Sequence, residues 1–271
     1  SAGSRIRLAV SAASDPGTGE KPVYAAVVGT PIASLTAAVA AGASTVQVDT
    51  LDGFHPDDED IRIGGETKKI QSINLAARTI TFTTALANAH AVDTLVRAPD
   101  KARIVDMFRL AGVAQAWTSL TVPGDNDGGI HSGAQGDPHM SLLASATDPN
   151  VVYIGGDRQD NPGAGFPNLV GANDFTGRLF RGVVTNAAGA TTWTPLTDNG
   201  ANNTAPHADS RAMVFAPNGD ILEVDDGGIY RLSDPDNLAA VPGVRAWTSL
   251  NGNLQLTEVT SLAYDDVNNR T

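Results

Sequence analysis

Short apolar runs separated by turn-forming residues recur along the chain and set its predicted elements. Three of them read as middle strands of a sheet: Val23-Tyr24-Ala25-Ala26-Val27, Val151-Val152-Tyr153-Ile154-Gly155-Gly156-Asp157 and Ile221-Leu222-Glu223-Val224-Asp225-Asp226. Each has another apolar run upstream, at Arg5 to Val10, Met140 to Ala146 and Ser210 to Ala216. Asp148-Pro149-Asn150 and Pro217-Asn218-Gly219-Asp220 lie between such runs and favour reverse turns. Downstream comes an aromatic-arginine pair (Phe108-Arg109, Phe180-Arg181, Tyr230-Arg231), then Trp-Thr-x-Leu at Trp117–Leu120, Trp193–Leu196 and Trp247–Leu250. All the tryptophans of the chain fall in that phrase.

Recurrence of these features in one order predicts repeated units of four strands, a to d, with the arginine on c and the tryptophan on d. The fold expected is all-β: a partial β-propeller of about three four-stranded blades plus the start of a fourth. The competing reading is a β-sandwich of ordinary hairpins. Residues 1–30 and 100–125 form the halves of the first blade, 126–200 the second, 201–256 the third, and 257–271 begin a further one. Because an incomplete ring leaves strand edges open, the rest of a longer polypeptide or other chains are expected to complete it.

Residues 31–99 fit no blade. Within them Ser44–Val48, Asp60–Ile63, Lys68–Ile73 and Thr79–Thr83 alternate with the strand period of two, and Gly64-Gly65 suits a hairpin turn. This predicts a small β module inserted in the first blade. Ala33 to Ala43 is alanine-rich without an amphipathic stripe, so a short helix and an extended lead-in both remain open. Asp57-Asp58-Glu59-Asp60 reads as a solvated turn, with a cation site as the sharper alternative.

Composition narrows the partners. The net charge of −12 repels phosphate backbones and argues against nucleic acid and anionic membrane surfaces. With no cysteine, disulfides and thiolate metal sites are excluded, and no apolar run is long enough to span a bilayer. No signal peptide is visible, and Ser1-Ala2-Gly3-Ser4 reads as a processed or trimmed end. The 28 glycines and 15 prolines suit many short strands joined by turns.

Asp226-Gly227-Gly228-Ile229-Tyr230-Arg231, followed by Trp247, resembles the Asp-box, or bacterial neuraminidase, repeat of sialidase-, sortilin- and xyloglucanase-like propellers. Ser233-Asp234-Pro235-Asp236 is at best a degenerate Asp box, and the first two units lack one. The resemblance implies an extracellular or cell-surface segment of a large bacterial protein. It leaves activity open, because one fold hosts many functions. The leading expectation is non-catalytic binding of glycan or protein, or assembly. A glycoside hydrolase and an accessory subunit docked on a larger complex are the alternatives.

In an up-and-down blade the loop before strand a and the b–c loop share one end, so His139, Asp157, Arg158, His207, Asp209, Arg211 and Asp226 should crowd one rim. The inserted module, replacing the first b–c loop, should rise from the same end. At strand alternation His207, Asp209 and Arg211 would point to one side. If the chain is an enzyme, Asp209, Asp225 and Asp226 are the acid and base candidates of a glycosidase. The plainer reading is a buried polar network tying blades together. Asp125 and Asp127, in Asp125-Asn126-Asp127-Gly128-Gly129, are weak calcium candidates without the distal glutamate of an EF-hand. The loop from Asp157 to Gly177 carries Phe166 and Phe175, suited to stack on a sugar or to plug the loop. The arginine cluster and nucleophilic tyrosine of a sialidase are not evident.

Overall fold

The structure, a computed structural model, describes residues 5–123, 129–161, 165–237 and 245–254. Among these residues the protein is all-β, with no helix. Strands are numbered β1 to β19 along the chain. The first four-stranded antiparallel sheet orders β1 (Arg5–Val10), β2 (Val23–Gly29), β10 (Arg103–Leu110) and β11 (Thr118–Leu120). The second orders β12 (Ser141–Ala144), β13 (Val151–Arg158), β14 (Gly177–Val184) and β15 (Thr191–Pro195). The third orders β16 (Ala212–Phe215), β17 (Ile221–Asp225), β18 (Gly228–Leu232) and β19 (Trp247–Ser249). These are the strands a to d expected of the three units. Residues 257–271 lie outside the described residues.

Register confirms that the units are copies. Tyr24 pairs with Arg109, Tyr153 with Arg181 and Leu222 with Arg231, so the three arginines hold one position. The sheets pack face to face in chain order. Tyr24, Met107 and Leu120 of the first sheet bury against Ile154, Phe180 and Trp193 of the second. Tyr153, Leu179 and Leu196, on the other side of the second sheet, bury against Met213, Tyr230 and Trp247 of the third. The first strands, β1, β12 and β16, stand next to one another.

The repeated residues account for this packing. Trp193 Nε1 donates to the Thr121 carbonyl at 2.8 Å, and Trp247 Nε1 to the Leu196 carbonyl at 2.7 Å. Each indole thus reaches the end of the fourth strand in the sheet before it. Trp117, in the first sheet, is 48% exposed. The arginines reach the other way: Arg109 bonds Asp15 and the Pro149 carbonyl of the second sheet's a–b turn, and Arg181 donates to Asp236 at 3.0 Å.

Residues 31–99 form their own two sheets. One orders β3 (Ile32–Ser34), β9 (Leu95–Arg97), β5 (Ile61–Ile63) and β6 (Glu66–Lys68); the other orders β4 (Thr45–Gln47), β8 (Thr79–Phe82) and β7 (Ile70–Asn74). Leu35, Val46, Ile61, Ile63, Ile80 and Phe82 lie in their separate core. Gly64-Gly65 closes the β5–β6 hairpin, as Ile63 pairs with Glu66. The alanine-rich stretch takes the extended option: after β3, Leu35 bridges Val48 and Val39 bridges His90.

The acidic run is not wholly the solvated turn that the sequence suggests. Asp58 is buried, because Arg103 on β10 clasps both its carboxylate oxygens at 2.8 and 2.9 Å. Arg103 also donates to the carbonyls of Gly53 at 2.9 Å and His131 at 3.0 Å. One buried guanidinium therefore locks the inserted module to the first sheet and to the loop entering the second.

Candidate functional site

The loop before β12 and the loop after β13 do meet at one end of the second sheet. Asp157, fully buried, organises them: its Oδ1 accepts the N–H groups of Gly133 at 3.1 Å and Arg158 at 2.7 Å, and its Oδ2 accepts that of Gln135 at 3.0 Å. The adjoining backbone then holds the third sheet, with Asp209 and Ser210 N–H donating to the carbonyls of Asp157 and Gly156, each at 2.9 Å. Between those sheets the Ser141 and Ser210 hydroxyls lie 2.6 Å apart. The inserted module stands at this end too, where His55 Nε2 faces Asp160 at 3.2 Å.

Asp226 occupies the position equivalent to Asp157, since Tyr153 and Leu222 pair with equivalent arginines. It does a different job. It is exposed and accepts Nε of Arg211 at 2.9 Å, with Nη2 at 2.8 Å. The histidines are not equivalent. His139 precedes Ser141, partner of Gly155, whereas His207 stands well ahead of Ala212, partner of Val224; His139 therefore corresponds to Ser210 rather than to His207. His139 is buried and His207 exposed. His207 leans on Gly227, where an added Cβ would come within 2.4 Å of it.

The expected alternation of His207, Asp209 and Arg211 does not occur. Asp209 has φ of 76°, and β16 begins only at Ala212, so this segment is a turn and not a strand. The turn nevertheless aims Asp209 at His139, whose Nε2 lies 3.6 Å from Oδ1, too far for a hydrogen bond. Burial, reinforced by Asp226 and Asp157, raises the Asp209 pKa, while His139 works against the rise.

Among the described residues, two groups bring metal-ligating atoms within 4.8 Å of one another: His55, Asp57 and Asp160; and His139, Asp209 and Asp226. In the first, His55 Nδ1 accepts the Asp57 N–H at 3.0 Å, so Nε2 carries the ring proton and faces Asp160. That contact brings the inserted module against the loop after β13, without a well-formed hydrogen bond at Nε2. In the second, the Arg211 guanidinium already supplies positive charge to Asp226. Asp125 and Asp127 lie outside the described residues.

The long loop after β13 is anchored through Gln159, while Phe175 stays 48% exposed. Gln159, fully buried, donates to the Gly177 carbonyl at 2.8 Å and to Thr197 at 2.9 Å, and accepts from Asn168 at 3.1 Å and Arg178 at 2.9 Å. Phe166 meets Phe175 edge to face at 5.3 Å, and Arg158 stacks on Phe175 at 4.7 Å. A recess lined by Leu51, Phe54, Arg103, Ile104 and His131 lies where the inserted module meets the first sheet; none of Asp209, Asp225 and Asp226 lines it.

Sequence reasoning missed Glu223. It lies on the buried face of β17 beside Asp225 and Ser210, with neither carboxyl oxygen in a well-formed hydrogen bond. Its alternation with Val224 was the available signal: an acid in the inward phase of a middle strand. Burial, then the charge of Asp225, raises its pKa to about 9; burial raises that of Asp225 to about 6. Both folded values exceed the unfolded ones, so the folded protein holds protons that the unfolded chain has released. Stability should therefore fall as pH rises from the ordinary carboxyl range towards about 9. Melting curves across that range should show the loss in the wild type and a much flatter profile in Glu223→Gln. Parallel profiles would contradict the assignment.

No protein-family model, curated protein or solved structure matches this chain.

Proposed function

We propose that this chain is a non-catalytic segment of a β-propeller, of the Asp-box-like kind found in secreted or cell-surface proteins, and that it works by assembly through its outer sheet faces. The supporting observation is how its residues are spent. At the rim Asp157 fixes two loops, Asp226 pairs with Arg211, and Glu223 is sealed under the third sheet. At the two ends of the stack, by contrast, apolar side chains stand uncovered, with Ile6, Leu8 and Val10 each about 60% exposed. Contiguous apolar faces of this kind mark interaction sites.

The glycoside hydrolase reading needs a carboxyl pair open to a sugar. Asp209, Asp225 and Asp226 are the carboxyls it could draw on, since Glu223 is buried. The test is turnover of a panel of fluorogenic aryl glycosides and sialosides by wild type and Asp226→Asn. The expectation is no turnover above the blank in either. Hydrolysis that disappears in Asp226→Asn, with melting temperature unchanged, would overturn the non-catalytic reading.

A further inference from the structure

Resting on that reading, we infer that the partner of each open face is a second copy of this chain, and that two copies close head to tail into a ring of six sheets. The argument begins with what covers the equivalent faces inside the molecule. Phe180 and Trp193 of the second sheet, and Tyr230 and Trp247 of the third, face the sheet before them and are packed by it. By register Phe108 and Trp117 hold the same places in the first sheet: Phe108 pairs with Ser119 and Arg109 with Thr118, as Phe180 pairs with Pro195 and Arg181 with Thr194. Their face, shared with Ile6, Leu8, Val10 and Ala25, has no sheet before it among the described residues.

The third sheet carries the complementary lack. The sides of the first two sheets that cover a successor include Tyr24 and Tyr153. Leu222 corresponds to those tyrosines, and its face bears Val214, Val224, Ile229 and Arg231, with Val214 56% exposed. The chain thus presents at one end the kind of surface that its other end is built to receive.

The indole bond fixes the docking geometry. Trp193 and Trp247 each donate to a main-chain carbonyl at the end of the preceding fourth strand, whereas Trp117 makes no hydrogen bond among the described residues. Leu250 and Asn251 follow β19 as Leu120 and Thr121 end and follow β11, and Leu250 is 45% exposed. In the assembly the Leu250 carbonyl of one copy, equivalent to the Leu196 carbonyl that Trp247 reaches, meets the Trp117 indole of the other.

Closure follows from counting. A heterologous contact makes an open filament unless its rotation closes. Propellers close at roughly four to eight four-stranded blades. With three such sheets among the described residues of each chain, two copies reach that range through two identical contacts.

Sedimentation velocity on a dilution series of the 271-residue chain tests this. The expected result is a reversible equilibrium between a 27.9 kDa species and one of twice that mass. Leu8→Glu and Val214→Glu change side chains that are exposed in the single copy, so each should fold while weakening association by about a hundredfold or more, as at a buried interface centre. Mixing the two variants pairs the intact first face of one with the intact last face of the other, and should restore a single-contact dimer.

A ladder of masses above the dimer, or dimers that ignore both substitutions, would overturn the ring. A monomer at every concentration would also overturn it, and an apolar dye then separates the two readings. Dye binding that Leu8→Glu abolishes leaves the face an assembly surface for a different partner. Absence of dye binding removes the assembly reading too.

Discussion

Arg103→Met is expected to destabilise the protein by about 3–5 kcal/mol, the cost of leaving a buried carboxylate without its partner. The carboxylate is that of Asp58, 2% exposed, which otherwise accepts the His55 N–H at 3.0 Å. The same substitution removes the donors to the Gly53 and His131 carbonyls, so three segments lose their common anchor. Urea denaturation measures the effect. The double variant Arg103→Met with Asp58→Asn should recover much of it, because the stranded charge goes as well. If both variants are equally unstable, the clasp acts through shape and not charge.

The second large effect concerns the tryptophans. In the Leu8→Glu background, which keeps the chain monomeric on this account, Trp247→Ala should cost about 3–5 kcal/mol as a large core side chain. Trp247 is 6% exposed and bonded to the Leu196 carbonyl. Trp193 is half-buried and should cost less. Trp117, at 48% exposed, should cost least, within about 1 kcal/mol. Thermal or urea denaturation of the three variants tests the order. Equal costs would mean that the indoles stabilise their own sheets and do not bridge between sheets.

That order shows where the sequence stops being informative. The three Trp-Thr-x-Leu phrases look alike, and they correctly mark the fourth strand of each sheet. Their burial depends on what stands in front of each sheet, which is a property of position in the stack. The acidic run fails to reveal Asp58 for the same reason: its partner Arg103 lies 45 residues away, and only the tertiary fold brings them together. The proline-histidine pairs mislead differently. Pro138-His139 and Pro206-His207 look like copies, but the turn at Asp209 spends extra residues before β16 and moves His207 out of register. Strand periodicity, by contrast, is a local property, and it identified β4, β5, β7 and β8 of the inserted module, the Gly64-Gly65 turn and the four-strand units. It missed the three-residue strands β3 and β9 and ran β6 and β7, which join different sheets, into one.

The site residues divide along the same line. Asp157 was identifiable as the end of a middle strand, and the structure makes it the bond acceptor that joins two loops. Gln159 and Glu223 carry no motif. Their importance comes from burial alone, a consequence of the sheets closing over them.

The central claim is that the tryptophans are bridges between successive sheets and that the first of them waits for a partner sheet. Fluorine NMR of the protein labelled with fluorotryptophan reads all three side by side. At low concentration one resonance, assigned by Trp117→Phe, should show the large H2O-to-D2O shift of an exposed indole, while Trp247 shows almost none. On concentration the Trp117 signal alone should lose that solvent shift and move to a buried position. A Trp117 resonance that stays solvent-exposed at every concentration, or a Trp247 resonance as exposed as Trp117, would contradict the account.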